Sequence, residues 1–298
     1  MDNMTPVSDE QLTEQLKSKK TTGIVGALLK FGGIALALIG FFTTMIPLAV
    51  LGIIVCIVGV AIENNSKKAI KQLLGDSLVR SALESVFENV QYEPMNHISS
   101  AAVRESHMML PEEFERVEGS DYVKAVYKGL NIELSDISLI HETEYYNEET
   151  NTWEKSETKV FGGQWLICDF GKELSAEVRL AEKTGLKLFK GSGVITTDNA
   201  EFDKRFKVRC DSAQDALYIL TPHMMEYIIS TADKSGGNVY MTFLKGGRLH
   251  IAVRTKRDFF ELGKGQVDTA ALRNKFAGEI KWFTDIIDEL RLVDTLYK

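Results

Sequence analysis

The 298-residue sequence has little cysteine: Cys56, Cys168 and Cys210 are odd in number and far apart. That excludes a disulfide framework and a paired-cysteine metal motif, and it fits a reducing compartment. An excess of positive charge is also missing, with 35 Lys and Arg against 42 Asp and Glu and a formal net charge of -7. A chain built to neutralise a polyanion needs the opposite balance, so nucleic acid is not the expected partner. Histidine is sparse: His97, His107, His141, His223 and His250 stand in five separate segments, with no HExxH and no HxH. No metal site is expected from that spacing. GxSxG, a Walker phosphate loop and GxGxxG are all absent, and "KGSGV" at Lys190–Val194 reads as a turn. Carboxylates such as Glu112, Glu113, Glu115, Asp203 and Asp211 are plentiful, but no pair is distinguished by an apolar setting that would raise a pKa. No catalytic residue and no cofactor is expected.

Charge itself is nearly absent from Gly23 to Ile62, where Lys30 stands alone. Forty residues exceed a signal-peptide core, and no small-residue cleavage pattern follows. A bilayer core needs about 20 apolar helical residues, so the stretch suits two spans, at about Gly23–Phe42 and Ile46–Ile62. The turn lies in "GFFTTMIPLAVLG", with Pro47 in the first turn of the second helix, where a missing N–H costs least. Lys30 reads as an interface lysine, because no acidic partner exists within the hairpin. Lys17, Lys19 and Lys20 precede the first span, Lys67, Lys68 and Lys71 follow the second, and the turn is uncharged. The positive-inside rule then puts both termini in the cytoplasm. Small residues recur at Gly26, Gly33, Ala37 and Gly40, and at Ala49, Gly52, Cys56 and Gly59. Such stripes let helices approach closely, here to pack the two spans together, with an oligomer seam as the alternative use.

Beyond the hairpin, Ile70, Leu73, Leu74, Leu78, Leu83, Phe87 and Val90 predict a membrane-proximal helix over 67–90. The segment from Asn96 to Glu118 has no clear period. From Asp121 the period becomes two, with a Lys-Gly turn, a polar tip "NEETNT" and a return strand through "VFGGQWLICDF". Further strands are expected at Ala176–Leu180 and Arg205–Cys210. Thr221, Pro222 and Gly236 bracket a helix, and a hairpin across Gly246 and Gly247 follows. A closing helix runs from Thr269 to Leu292, with its apolar residues at three- and four-residue spacing. The expected organisation is a tail (1–22), a transmembrane helical hairpin (23–62), a membrane-proximal helix (63–95) and a cytoplasmic domain (96–298). The fold class is α+β, with a mainly antiparallel sheet and packed helices.

The blocks "VFGGQWLICDFGK", "EFDKRFKVRCDSAQDALYILTPHMMEYI" and "GGRLHIAVRTKRDFFE" resemble the bacterial membrane-protein family known as domain of unknown function 3137. The likeness covers roughly Ser120 to Leu262. It implies N-terminal spans with a cytoplasmic α+β domain in a bacterial cell membrane, and it brings no catalytic residues. By association it also implies a small helical membrane protein of the LemA family as a partner.

Two basic strips remain: Lys204, Arg205, Lys207 and Arg209 on one strand, and Arg248, Arg254, Lys256 and Arg257 near the last hairpin. His250 is expected to share a solvated strand face with Arg248, Ala252 and Arg254. Basic side chains held beneath an anionic leaflet each add about 1 kcal/mol of attraction, so these strips are the candidate contacts for a lipid headgroup or a protein. The leading expectation is a membrane-anchored, non-catalytic interaction or scaffold module. A membrane-bound enzyme with a scattered site is the alternative.

Overall fold

The structure is a computed structural model that describes residues 8–110, 112–170, 173–183, 193–263, 265, 267–290 and 292. Its residues divide into two compact units, Met1–Ala82 with Phe260–Phe276, and Leu83–Phe259 with Ala277–Lys298.

The first unit is built on two long helices, α1 (Asp9–Phe42) and α2 (Ile46–Leu74), joined through Thr43, Thr44 and Met45. Ser8 caps α1 by accepting from the Gln11 amide, and the Gln11 side chain returns to the Ser8 N–H. The helix therefore begins well before the expected span, with Leu12 and Leu16 buried. Both helices are long and apolar enough to cross a membrane. Their outward residues are apolar and uncovered, as at Phe31 (64% exposed) and Ile57 (63%).

The inward seam consists of the small residues. A Cβ added to Gly33 would overlap the Cys56 amide and lie 2.7 Å from the Gly52 carbonyl oxygen. One on Gly52 would strike the Ala37 backbone, one on Gly40 the Ala49 backbone, and one on Gly59 would come within 2.7 Å of the Gly26 carbonyl oxygen. Gly32, one residue from Gly33, faces open space. Lys30 does have an acidic partner, in correction of the expectation: Glu63 lies 2.7 Å away and also holds Lys67 at 2.6 Å. Glu63 stands one residue past the expected second span, and α2 continues through it.

After α2 the helix loosens into a π-helical turn, Gly75–Val79, and continues as α3 (Arg80–Glu84). It ends there and not at Val90, because β1 (Glu88–Glu93) takes up the chain and pairs antiparallel with the next strand.

Among the described residues, the second unit centres on a sheet of nine strands in the order β1-β2-β3-β4-β9-β8-β5-β7-β6, every pair antiparallel. The strands are β2 (Arg116–Tyr127), β3 (Leu130–Asn147), β4 (Thr152–Asp169), β5 (Val178–Glu182), β6 (Val194–Ile195), β7 (Phe206–Arg209), β8 (Asn238–Phe243) and β9 (Arg248–Arg254). The helices are α4 (Ser100–Glu105), α5 (Ala200–Arg205), α6 (Ala213–Ile219), α7 (Pro222–Ser235) and α8 (Thr269–Glu289), the last shared between the units. The α+β class and the antiparallel sheet agree with the sequence reading.

Register places Val123, Leu134, Leu166, Ile251, Met241, Leu180 and Val208 in one continuous apolar row across seven strands. α7 lies against β8 and buries Met225, Ile228 and Ala232. Within this unit α8 is tied to α7 through Trp282 Nε1, which donates to the Ser235 carbonyl at 3.1 Å, and through the Lys234–Glu289 ion pair at 2.6 Å. The opposite face carries a second core of Phe161, Trp165, Ile167, Tyr240 and Ala252, closed by Ile98, Val103 and Met109 from the aperiodic segment around α4.

Candidate functional site

β3 and β4 outrun their neighbours. β2 last pairs at Arg116 with Ile140, and β9 at Arg254 with Gly163. Residues 141–147 and 152–158 therefore form a two-stranded arm of seven facing pairs beyond the sheet. At its base the β3–β4 register shifts between Leu139 and Ile140, which places Lys159 opposite Ile140. Glycines then let three backbones converge. A Cβ on Gly163 would strike the Val253 carbonyl, and one on Gly237 the Arg254 carbonyl. Gly236 ends α7 in the left-handed conformation at φ 71°.

These close approaches leave a cleft of about 810 Å³ between the β4 bulge, the α7–β8 loop and the end of β9. Its charged lining is entirely basic: Lys159, Arg254, Lys256 and Arg257. Lys159, Lys256 and Arg257 are exposed, and the Lys159 ammonium group lies over Gly162. Arg254 donates from Nη2 to the Val160 carbonyl at 2.5 Å, and its guanidinium sits 5.9 Å from the Phe161 ring. Its buried Nε has no hydrogen-bond partner among the described residues. None of the four cations is held in an ion pair among the described residues.

The loop that carries Lys256 and Arg257 is fixed from below. Gln164 Nε2 donates to Asp136 Oδ1 at 3.1 Å and to the Arg257 carbonyl at 3.0 Å, and Gln164 Oε1 accepts from Thr255 Oγ1 at 2.7 Å. Asp136 Oδ2 accepts the Phe259 amide at 2.7 Å. Burial pushes the Asp136 pKa well above the usual carboxylate range, and a hydrogen bond to Asp258 adds to the rise. Asp136 thus braces the loop from below through both of its carboxyl oxygens.

The eight basic residues singled out in the sequence do not form one surface. Lys204 and Arg205 are not on a strand: they close the last turn of α5, and only Lys207 and Arg209 lie on β7. Arg205 is engaged by Glu182 at 2.8 Å and Asp233 at 2.5 Å. Burial lowers the Lys207 pKa, and the nearby Arg209 and Lys183 charges lower it further. Arg248 lies at the opposite end of β9 from Arg254 and pairs with Glu133 at 3.4 Å. The structure thus gathers Arg254, Lys256 and Arg257 and adds Lys159, which the sequence reading missed. The signal was available in the "VFGG" that follows it, since paired glycines in a strand mark a close backbone approach.

His250 is the clearest reversal. It is 1% exposed, not solvated, and its Nδ1 accepts from Trp165 Nε1 at 3.3 Å. Burial pushes its pKa down to about 3, with the Arg248 charge adding to the effect. Of "KGSGV", Lys190, Gly191 and Ser192 lie outside the described residues.

Residues 159–292 match the family described as "Protein of unknown function (DUF3137)". Over that stretch the chain is similar to the family. The DUF3137 segment opens on Lys159, holds all four cleft cations and runs through α8, whereas the arm precedes it. The expected resemblance therefore holds from Lys159 onward. A solved structure, that of the mycobacterial trehalose monomycolate transport factor A, TtfA, is similar with a TM-score of 0.38 and 13% identity, over 72% of this chain and 95% of that chain. No curated protein matches the sequence.

Proposed function

We propose that the protein is a membrane-anchored, non-catalytic interaction module: the α1–α2 hairpin spans the bilayer twice, and the cleft at the base of the arm binds an anionic group presented by a partner. The observation that carries this reading is the set of four cations around one cleft, none of them in an ion pair among the described residues. A basic cleft attracts carboxylate or phosphate oxygens, and two arginines supply planar donor forks for them. The anchor rests on two apolar helices packed through glycine with uncovered apolar outer faces. The lysine flanks support a two-span topology with both termini in the cytoplasm.

Full-length protein in phosphatidylcholine nanodiscs provides the test, with anionic vesicles and a tryptophan-containing polyglutamate peptide as probes. Binding to at least one probe should weaken as salt rises, because the attraction is screened beyond about 10 Å at 0.1 M. Replacing Lys159, Lys256 and Arg257 together by Gln should remove it. A parent protein that ignores both probes at low salt overturns the reading.

A further inference from the structure

We propose that the anionic group is the tip of the β3–β4 arm of a second copy of this chain, so that two copies exchange arms; this rests on the cleft reading above. The arm is built as a donor. Its seven facing pairs stand outside the sheet, and isolated two-stranded ribbons are marginal in water. Tyr146 and Trp153 face each other near the tip with ring centroids 5.5 Å apart, and Trp153 is 71% exposed. Residues 141–158 hold six glutamates against one lysine. Glu142 and Glu157 are already held by Arg116, and Glu144 by Lys155 at 2.9 Å. Glu148 and Glu149, at the tip, have no ion pair among the described residues.

Tip and cleft complement each other in kind. The tip offers an aromatic pair and two uncompensated carboxylates. The cleft offers four cations that are in no ion pair among the described residues, and the flexible Lys159 and Arg257 side chains that lie over Gly162 and Gly236 are themselves the groups that would meet a ring and a carboxylate. Arginine over an indole face adds cation–π attraction. A chain cannot satisfy itself in this way. Seven extended residues at about 3.3 Å each carry the tip roughly 20 Å away from Lys159 at the root of the same strand. A second copy can. Donor and acceptor lie at the two ends of one arm, so a two-fold axis across a pair of antiparallel arms sets each tip at the other's base and closes the assembly with two identical contacts.

The test is a charge exchange in the full-length protein, with molecular mass measured in detergent micelles by light scattering and proximity measured by energy transfer in phosphatidylcholine vesicles. The parent should dimerise. An arm variant (Glu148→Lys with Glu149→Lys) and a cleft variant (Lys256→Glu with Arg257→Glu) should each be monomeric at concentrations where the parent is dimeric. An equimolar mixture of the two should dimerise again, because both arm–cleft contacts are then of opposite sign. Trp153→Ala should weaken the parent dimer at least tenfold. All these positions are exposed, and circular dichroism verifies that each variant keeps its fold. A monomeric parent, or a mixture that stays monomeric, overturns the proposal. If the parent is monomeric yet binds anionic vesicles in a way the cleft variant loses, the cleft reading stands with a lipid headgroup as its ligand and only the arm exchange fails.

Discussion

Two adjacent glycines in α1 allow the seam to be tested with its own control. Alanine at either Gly32 or Gly33 should gain about 1 kcal/mol of helix propensity. At Gly32 nothing lies within 4 Å of the new methyl, so the gain is kept in full. At Gly33 the methyl meets backbone, the Cys56 amide and the Gly52 carbonyl, neither of which can rotate away as a side-chain end could. Overpacking of that kind costs about 1–3 kcal/mol, so Gly33→Ala should be less stable than Gly32→Ala by about that amount. Cys56 reports on the same contact. It is half-buried, whereas Cys168 and Cys210 are buried. Alkylation of Cys56 in detergent, measured by mass spectrometry alongside thermal unfolding, should be about 5- to 150-fold faster in Gly33→Ala than in Gly32→Ala where helix opening limits the reaction. Equal melting and equal alkylation of the two variants would refute the claim that α1 and α2 meet through backbone.

Two further outcomes are expected. Because the folded state holds His250 at a pKa of about 3 against an ordinary 6.5, the unfolded state binds more protons below pH 6.5, and stability should fall from there toward pH 3; His250→Leu should flatten that part of the acid-denaturation profile, and an unchanged slope would remove His250 from the account. For topology, a reporter that works only in the cytoplasm should be active at the C-terminus and silent when inserted beside Thr44; the reverse pattern would overturn the two-span orientation.

Much of this architecture was legible because local chemistry decided it. Thr221, Pro222 and Gly236 bracket α7 as their capping preferences require, and the Lys-Gly and Gly-Gly turns set two hairpins. What the sequence hid depends on partners distant in the chain. "RLHIAVR" alternates like a strand with one wet face, but the segment around Ile98 and Val103 covers that face and buries His250. The near-continuous apolar run "WLIC" in β4 was a sign of burial on both faces. Lys30 lacked an acid only because the second helix was ended at Ile62, one residue short of Glu63. The two basic strips were read from spacing along the chain, yet the cleft is assembled from three elements, and Lys159 joins it through a register shift that no period encodes. Lys204 and Arg205 fell on a helix because Asn199 caps α5 through the amides of Glu201 and Phe202, a local signal that the alternating pattern overrode.

The unequal length of β3 and β4 gives one pair of strands two different lives on the hydrogen-exchange timescale. Inside the sheet, amides around Trp165 lie between two cores and open only with the whole unit. Beyond Ile140 and Gly163 the same ladder pairs with no third strand among the described residues, so it is expected to open from the tip inward while the core stays intact. The register shift and the paired glycines at the root of the arm mark the boundary between the two regimes. Local melting of the ribbon therefore need not propagate into the strands that position Arg254 and Gln164, and a segment added or lost at the tip would leave the cleft standing.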